Sequence, residues 1–246
     1  MQFPHPLIEA RLVQRYKRFL ADVIMPNGKT ITVHCPNPGS MAGLTLPGSR
    51  VWISDSRNPK RKLRYTLELV EVSGNDTEPT LVGINTQQPN RLAREAIEAG
   101  LIAELTGYAS LRTEVPYGEN SRIDILLEHP DKPPCYVEIK NVHFVRQSNL
   151  FEFPDSKTAR GAKHLNEMAA MVAAGARAVM LYVVQRADGN ALAIAADMDP
   201  NYAQAFERAT ESGVEALAIR CQISENEIIA CDMVPVLPKP ALQSSQ

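Results

Sequence analysis

The chain has 246 residues, 44% hydrophobic and 22% charged, with a formal net charge of −2, the balance of a globular protein of one large or two small domains. Residues 1–12 hold Glu9 and no long apolar run, which argues against a secretory signal, and the most apolar stretch, 173–184, is too short to span a bilayer and contains Arg177. The four cysteines form no Cys-X-X-Cys pair, so a reduced, cytoplasmic chain without membrane association is expected. Charge is uneven along the chain. Residues 1–86 carry 11 Lys and Arg against 7 Asp and Glu (+4), and residues 87–246 carry 15 against 21 (−6). A basic module that binds a polyanion, joined to a second unit, is the expectation.

The first 86 residues read as a small all-β domain. Candidate strands are 18–25, 30–35, 50–54, 65–72 and 81–85. Turn signals separate them: Pro26-Asn-Gly28, Pro36-Asn-Pro-Gly39, Pro47-Gly48 and Gly74-Asn75. Five short strands suit an OB-like barrel, a fold that binds nucleic acid through a basic groove with stacking aromatics. The loop carrying Arg57, Lys60, Arg61, Lys62, Arg64 and Tyr65 supplies the basic residues for DNA binding, with a solvated surface turn as the alternative. Trp52 and Tyr16 are stacking candidates, although a lone Trp in a strand is more often core.

From residue 87 the pattern changes to an α/β domain reaching 234, followed by a Pro- and Ser-rich tail, 235–246, expected to be disordered. A helix over 90–100 opens with Asn90 as N-cap. Strands follow at 111–117, 123–127 and 136–142, then a helix from Ser156 to Ala174 and an apolar strand at 178–184. A last helix, 200–212, and a strand near 215–221 extend the unit. The linker 128–134, with three prolines and an aspartate, suits a hairpin-like connection.

Chemistry concentrates on two neighbouring strands. Side chains alternate along a strand, so Glu138 and Lys140 share a face and apolar Val137 and Ile139 take the other. On the preceding strand Asp124 is the polar position between Ile123 and Ile125. Paired strands lie about 4.8 Å apart, which places Asp124 beside Glu138. Two such carboxylates repel, and a Mg²⁺ or Mn²⁺ ion relieves the conflict. Asp124, Glu138 and the Ile139 carbonyl are the expected metal ligands, with Lys140 next to the attacking water, a set sufficient for phosphodiester hydrolysis. A plain ion pair is the competing reading. Asp155-Ser156-Lys157 has the same acid-X-Lys form but precedes a helix, and is read as a decoy.

Helix 156–174 starts with Lys157, Arg160, Lys163 and His164. Basic residues oppose the helix dipole there, so they are expected to serve DNA phosphate, with a solvated face as the alternative. Gln185 and Arg186 follow an apolar strand where a sheet edge faces substrate. His143 is placed on the face opposite Lys140.

An acid on one strand followed by acid-X-Lys on the next, within an α-β-β-β-α-β order, resembles the PD-(D/E)XK nuclease superfamily. Here Ile123 replaces the Pro before the first acid. That resemblance implies a further catalytic Glu from the first helix. Glu95, Glu98 and Glu104 are candidates and Glu95 is preferred.

More specifically, the chain resembles the sugar fermentation stimulation protein A family. The resemblance rests on Cys35-Pro-Asn-Pro-Gly-Ser-Met41, Glu114-Val-Pro-Tyr-Gly, Ser121-Arg-Ile-Asp124, Tyr136-Val-Glu-Ile-Lys-Asn-Val142, Phe153-Pro-Asp, Thr158-Ala-Arg-Gly-Ala-Lys-His-Leu165 and Val184-Gln-Arg186. Two places depart from the family pattern, His143-Phe144 and Ser156-Lys157, and neither touches the acids or Lys140. The resemblance implies an OB-like domain, a PD-(D/E)XK-like domain with a mixed central sheet, and DNA binding with little sequence preference. A Mg²⁺-dependent endonuclease and a non-enzymatic regulator of sugar-metabolism genes both fit, and a homodimer is left open. No helix-turn-helix signal supports a sequence-reading repressor.

Overall fold

The computed structural model describes residues 1–73, 78–118 and 121–237. The first unit comprises β1 (Ile8–Tyr16), β2 (Leu20–Ile24), β3 (Thr30–His34), β4 (Arg50–Asp55), β5 (Tyr65–Val72) and β6 (Thr80–Gly83). Their order is β3-β2-β1-β4-β5-β6, and β3 also meets β5 at His34 and Thr66. Strands β1 to β5 therefore close into a five-stranded barrel, with β6 added outside on β5. The strand number is the expected one, but the ring includes β1, which the sequence pattern missed, and leaves out the segment at 81–85. In β1 only Ala10 and Leu12 are buried, and the register shifts between Leu12 and Gln14. A bulge there breaks the alternation that identifies a strand. The Gly74-Asn75 turn signal lies outside the described residues.

The second unit contains α1 (Pro89–Glu98), β7 (Ser110–Tyr117), β8 (Ser121–His129), β9 (Lys132–Val142), β10 (Phe144–Gln147), β11 (Asn149–Phe153), α2 (Ala159–Ala173), β12 (Arg177–Val184), β13 (Gly189–Ile194), α3 (Pro200–Glu211), β14 (Glu215–Ile223) and β15 (Ile228–Val234). Its main sheet runs β15-β14-β12-β9-β8-β7. Strand β12 is parallel to β9 and β14, and the other pairs are antiparallel. Strands β10, β11 and β13 form a small second sheet. These three and β15 were not expected, being short and mixed in polarity. The proline linker is shorter than expected, because β8 and β9 pair as far as His129 and Lys132.

Both faces of the main sheet are covered. Val137, Ile139, Val179, Leu181 and Val183 pack with Leu92, Ala96 and Ile97 of α1. Met180, Tyr182 and Val184 pack with Leu165 and Met168 of α2 and Tyr202 and Ala205 of α3. A strand buried on both faces needs the continuous apolar run that β12 has. Trp52 and Leu69, opposed on β4 and β5, join the α1 core rather than the barrel interior. Trp52 is 2% exposed and cannot stack on a base. The barrel wall and the sheet thus share one core.

A polar seam completes the junction. Gly83 N–H donates to Gln185 O at 2.9 Å, and Gln185 Nε2 donates to Asn141 Oδ1 at 2.7 Å and Asn85 O at 3.3 Å. Arg186 donates to the His143 carbonyl at 2.6 Å and pairs with Asp188. Gln185 and Arg186 are both buried, which corrects their reading as substrate-facing. Residues 235–237 run beside β13, with Val236 bridging Leu192, so the first part of the expected disordered tail is paired; 238–246 lie outside the described residues. All four cysteines are free. Among the described residues no helix is long and apolar enough to cross a membrane.

Candidate active site

The β8–β9 ladder pairs Leu127 with Cys135, Leu126 with Tyr136 and Ile125 with Val137. It ends there, one step before Asp124 and Glu138. The Ile139 N–H, released from a strand partner, donates to Asp124 Oδ2 at 2.7 Å. Asn90 Nδ2, from the first turn of α1, donates to Asp124 Oδ1 at 2.9 Å. Lys140 Nζ lies 2.5 Å from Glu138 Oε1, and His164 Nδ1 meets the same oxygen. Glu138 Oε2 is buried and makes no hydrogen bond among the described residues. The expected trio is therefore brought together, at the floor of a cleft of about 900 Å³ between the two units.

The two acids are tuned in opposite directions. Burial, then the charge of Glu138, raises the Asp124 carboxyl above its ordinary value, against the Ile139 and Asn90 hydrogen bonds. Burial works the same way on Glu138, but His164 and Lys140 outweigh it and hold that carboxyl below the usual range.

The cleft walls come from both units. On the barrel side stand Arg18 and the loop 37–40; on the other side stand Lys157, Thr158 and Arg160. Arg15 shapes the loop by donating to the carbonyls of Arg18, Asn37, Gly39 and Ser40 at 2.7 to 3.1 Å. Asp155 docks it: its Oδ2 accepts from Met41 N–H at 3.0 Å and lies 3.3 Å from His143 Nε2. A β-carbon on Gly39 would come within 2.7 Å of Asp155, so only glycine lets the loop approach so closely. Burial raises the Asp155 carboxyl, yet His143 and the Met41 amide bring it well below the ordinary range. The supposed decoy thus lines the cleft as a latch. His143 lines it together with Lys140, which corrects its placement on the opposite face.

Several expected site residues lie elsewhere. Glu95 is bound by the Met1 ammonium at 2.8 Å and Arg91 at 2.8 Å, outside the cleft; Glu98 pairs with Arg94. Glu104 sits in a 3-10 turn and is exposed. None of the three reaches Asp124. The contribution of α1 is Asn90, which lies inside the helix behind Pro89 and is not its N-cap. His164 is 3% exposed, too buried to touch a DNA backbone. Lys163 is outside the cleft and lies 3.4 Å from Glu167. Helix α2 begins at Ala159 with Thr158 as its cap, accepting from Gly161 N–H at 3.1 Å, so Lys157 precedes the helix. On the barrel, Arg57, Lys60, Arg61, Lys62 and Arg64 are exposed on a loop that does not line the cleft. Arg64 is paired with Asp55 at 2.5 Å, and Arg61 donates to Thr66 at 3.2 Å. Tyr16 donates to Asp22 at 3.2 Å. Arg18, exposed at the rim, was not singled out in the sequence; its positive φ of 63° in the β1–β2 turn gives no linear signal.

The donor set suits a hard divalent cation. Mg²⁺ uses one or two carboxylates, a carbonyl and water rather than an all-protein cage. Among the described residues no cluster of three or more His, Cys, Asp or Glu forms such a cage, whereas the unpartnered Glu138 Oε2 beside Asp124 offers a buried anionic oxygen.

Comparison with known proteins agrees with the two-part organisation. A family profile described as "SfsA N-terminal OB domain" matches residues 13–84, and one described as "Sugar fermentation stimulation protein RE domain" matches residues 87–227. A sugar fermentation stimulation protein homolog of Brucella ovis is 57% identical over 236 residues, covering 96% of this chain and 97% of that protein. The homolog of Brucella melitensis shows the same identity and coverage. The structure of Pyrococcus furiosus SfsA in complex with Ca²⁺ matches the fold with a TM-score of 0.84, at 24% identity, over 97% of this chain and 98% of that one.

Proposed function

The chain belongs to the sugar fermentation stimulation protein family, and on that footing we propose that it binds DNA in the cleft between its two units and hydrolyses phosphodiester bonds there with Mg²⁺ or Mn²⁺. The observation that carries this reading is the unpartnered, buried Glu138 Oε2 next to Asp124 on the floor of a basic-rimmed cleft. Asp124, Glu138 Oε2 and the Ile139 carbonyl would hold the ion. When bound, it supplies an activated water and neutralises charge developing on phosphate.

The protein's own groups do the rest. Lys140 Nζ is anchored on Glu138 Oε1 and keeps a positive charge at the reacting phosphate. Asn90 and the Ile139 amide orient Asp124. Arg18, Lys157 and Arg160 attract the backbone, a contact that carries affinity without base readout. The similar structure from Pyrococcus furiosus was solved in complex with Ca²⁺, which is in keeping with a divalent ion here.

The test is incubation of the purified protein with single-stranded, duplex and nicked DNA in Mg²⁺, Mn²⁺ or EDTA, beside an Asp124→Asn control. Metal-dependent products from wild type alone support the reading. No products in either metal, with calorimetry showing no divalent-ion binding, overturn it. A non-enzymatic DNA-binding regulator then stands. The observation favouring that second reading is that Glu138 Oε1 already pairs with Lys140 and hydrogen-bonds His164 without any ion.

A further inference from the structure

The two oxygens of Glu138 are not equivalent. Oε1 takes Lys140 Nζ and His164 Nδ1, while Oε2 takes nothing among the described residues. His164 reaches Glu138 from the second turn of α2 and is itself buried. Its other ring nitrogen, Nε2, faces Arg160 Nε at 3.2 Å. A guanidinium only donates, so Nε2 holds the lone pair and the ring proton sits on Nδ1, pointing at Glu138.

We propose that His164 is a positioning residue for the metal-carrying carboxylate: as an Nδ1–H donor fixed by Arg160, it occupies Glu138 Oε1 and leaves Oε2 as the oxygen that takes the cation. Lys140 cannot serve this purpose alone. Its flexible side chain is also needed by the phosphate, and Glu138 would lose its only clamp whenever Lys140 turned to substrate. His164, on a packed helix, stays in place. Partners that orient a ligand in this way typically change metal affinity about 10–100-fold when removed. This role rests on the metal-dependent reading above. It also explains why a residue in the basic turn of α2 is buried rather than offered to DNA.

The test is Mn²⁺ binding without DNA, by titration calorimetry, for wild type, His164→Ala and His164→Asn. An asparagine amide nitrogen falls near the position of Nδ1 and can still donate to Glu138. The expected result is a Kd about 10–100-fold weaker for His164→Ala, largely restored in His164→Asn. An unchanged Kd in His164→Ala, even with a lower melting temperature in EDTA, makes His164 structural and overturns the proposal. Equal weakening in both variants also overturns it. No binding by wild type removes the metal reading itself, which is a separate failure. Should His164→Ala not fold, ring-nitrogen NMR of the wild type decides. An Nδ1–H tautomer whose signals move on adding Mg²⁺ supports the role, and an Nε2–H tautomer refutes it.

Discussion

Replacing Asp124 with Asn should make the metal-free protein more stable while abolishing its response to metal. Directly opposed side chains on paired strands lie about 5 Å apart, and two unit charges at that distance repel by about 3 kcal/mol at an effective dielectric of about 20. The Lys140 ammonium, 2.5 Å from Glu138, cancels part of this. A net gain of about 1–2 kcal/mol remains, or about 2–8 °C in Tm for a chain of this size. The substitution is nearly isosteric: an amide oxygen still accepts from Ile139 N–H, and the Asn90 amide can turn over to accept from the new nitrogen. The pH dependence has a definite sign. The Asp124 carboxyl is raised by burial and by Glu138, so its penalty on folding is present above its folded pKa and fades as pH falls toward the ordinary carboxylate range. The stability difference between variant and wild type should shrink over that window. Mg²⁺ at 100 times its Kd should stabilise wild type by about 2.7 kcal/mol and leave the variant unmoved. Differential scanning calorimetry in EDTA and in Mg²⁺ should therefore show the order of Tm crossing over. A variant that melts below wild type in EDTA, or a wild type indifferent to Mg²⁺, refutes the reasoning.

Lys140→Ala should remove cleavage yet retain Mn²⁺ binding in calorimetry, because no ion ligand is lost. Glu95→Ala should leave cleavage unchanged and shift stability by less than about 1 kcal/mol, since it breaks only a half-exposed pair with Met1 and Arg91. Joint replacement of Arg18, Lys157 and Arg160 by Ala should make the log–log dependence of DNA affinity on salt shallower by about 2–3 units; an equal loss from replacing Lys60, Arg61 and Lys62 would add the barrel loop to the interface. Gly83→Ala should lower stability by about 1–3 kcal/mol in a denaturant titration, because the new β-carbon would sit 2.6 Å from Oε1 and 3.1 Å from Cβ of the buried Gln185 and displace that side chain from the seam.

The strands of the candidate site were legible because β8 and β9 alternate locally, as Ile123-Asp124-Ile125 and Val137-Glu138-Ile139-Lys140, so a polar position between apolar ones identifies a facing side chain. The closing of the barrel was legible only in strand number. The bulge in β1 hides its period, and nothing local distinguishes the outer β6 from a ring strand. Acids on α1 were misjudged because exposed glutamates look alike in sequence. The polar residue that reaches the site, Asn90, sits behind a proline whose preference for the first helical position marks the true helix start. Arg160 and His164, four residues apart, share a helix face, but whether that face meets solvent or a carboxylate is decided by the β9 strand beneath it. The latching role of Asp155 had no local signal, since the loop it docks, through Ser40 and Met41, lies more than a hundred residues earlier.

The early end of the β8–β9 ladder leaves one amide whose protection is unlike that of its neighbours. Most core amides of a sheet exchange with solvent deuterium only when strands separate, a global event. The Ile139 N–H is guarded instead by a side-chain carboxylate, through a charge-assisted bond that weakens on protonation. Its exchange rate should rise on acidification relative to Val137 and fall when a cation locks Asp124 in place. A single backbone proton thereby serves as an internal gauge of whether the floor of the cleft is assembled, readable without substrate, label or catalysis.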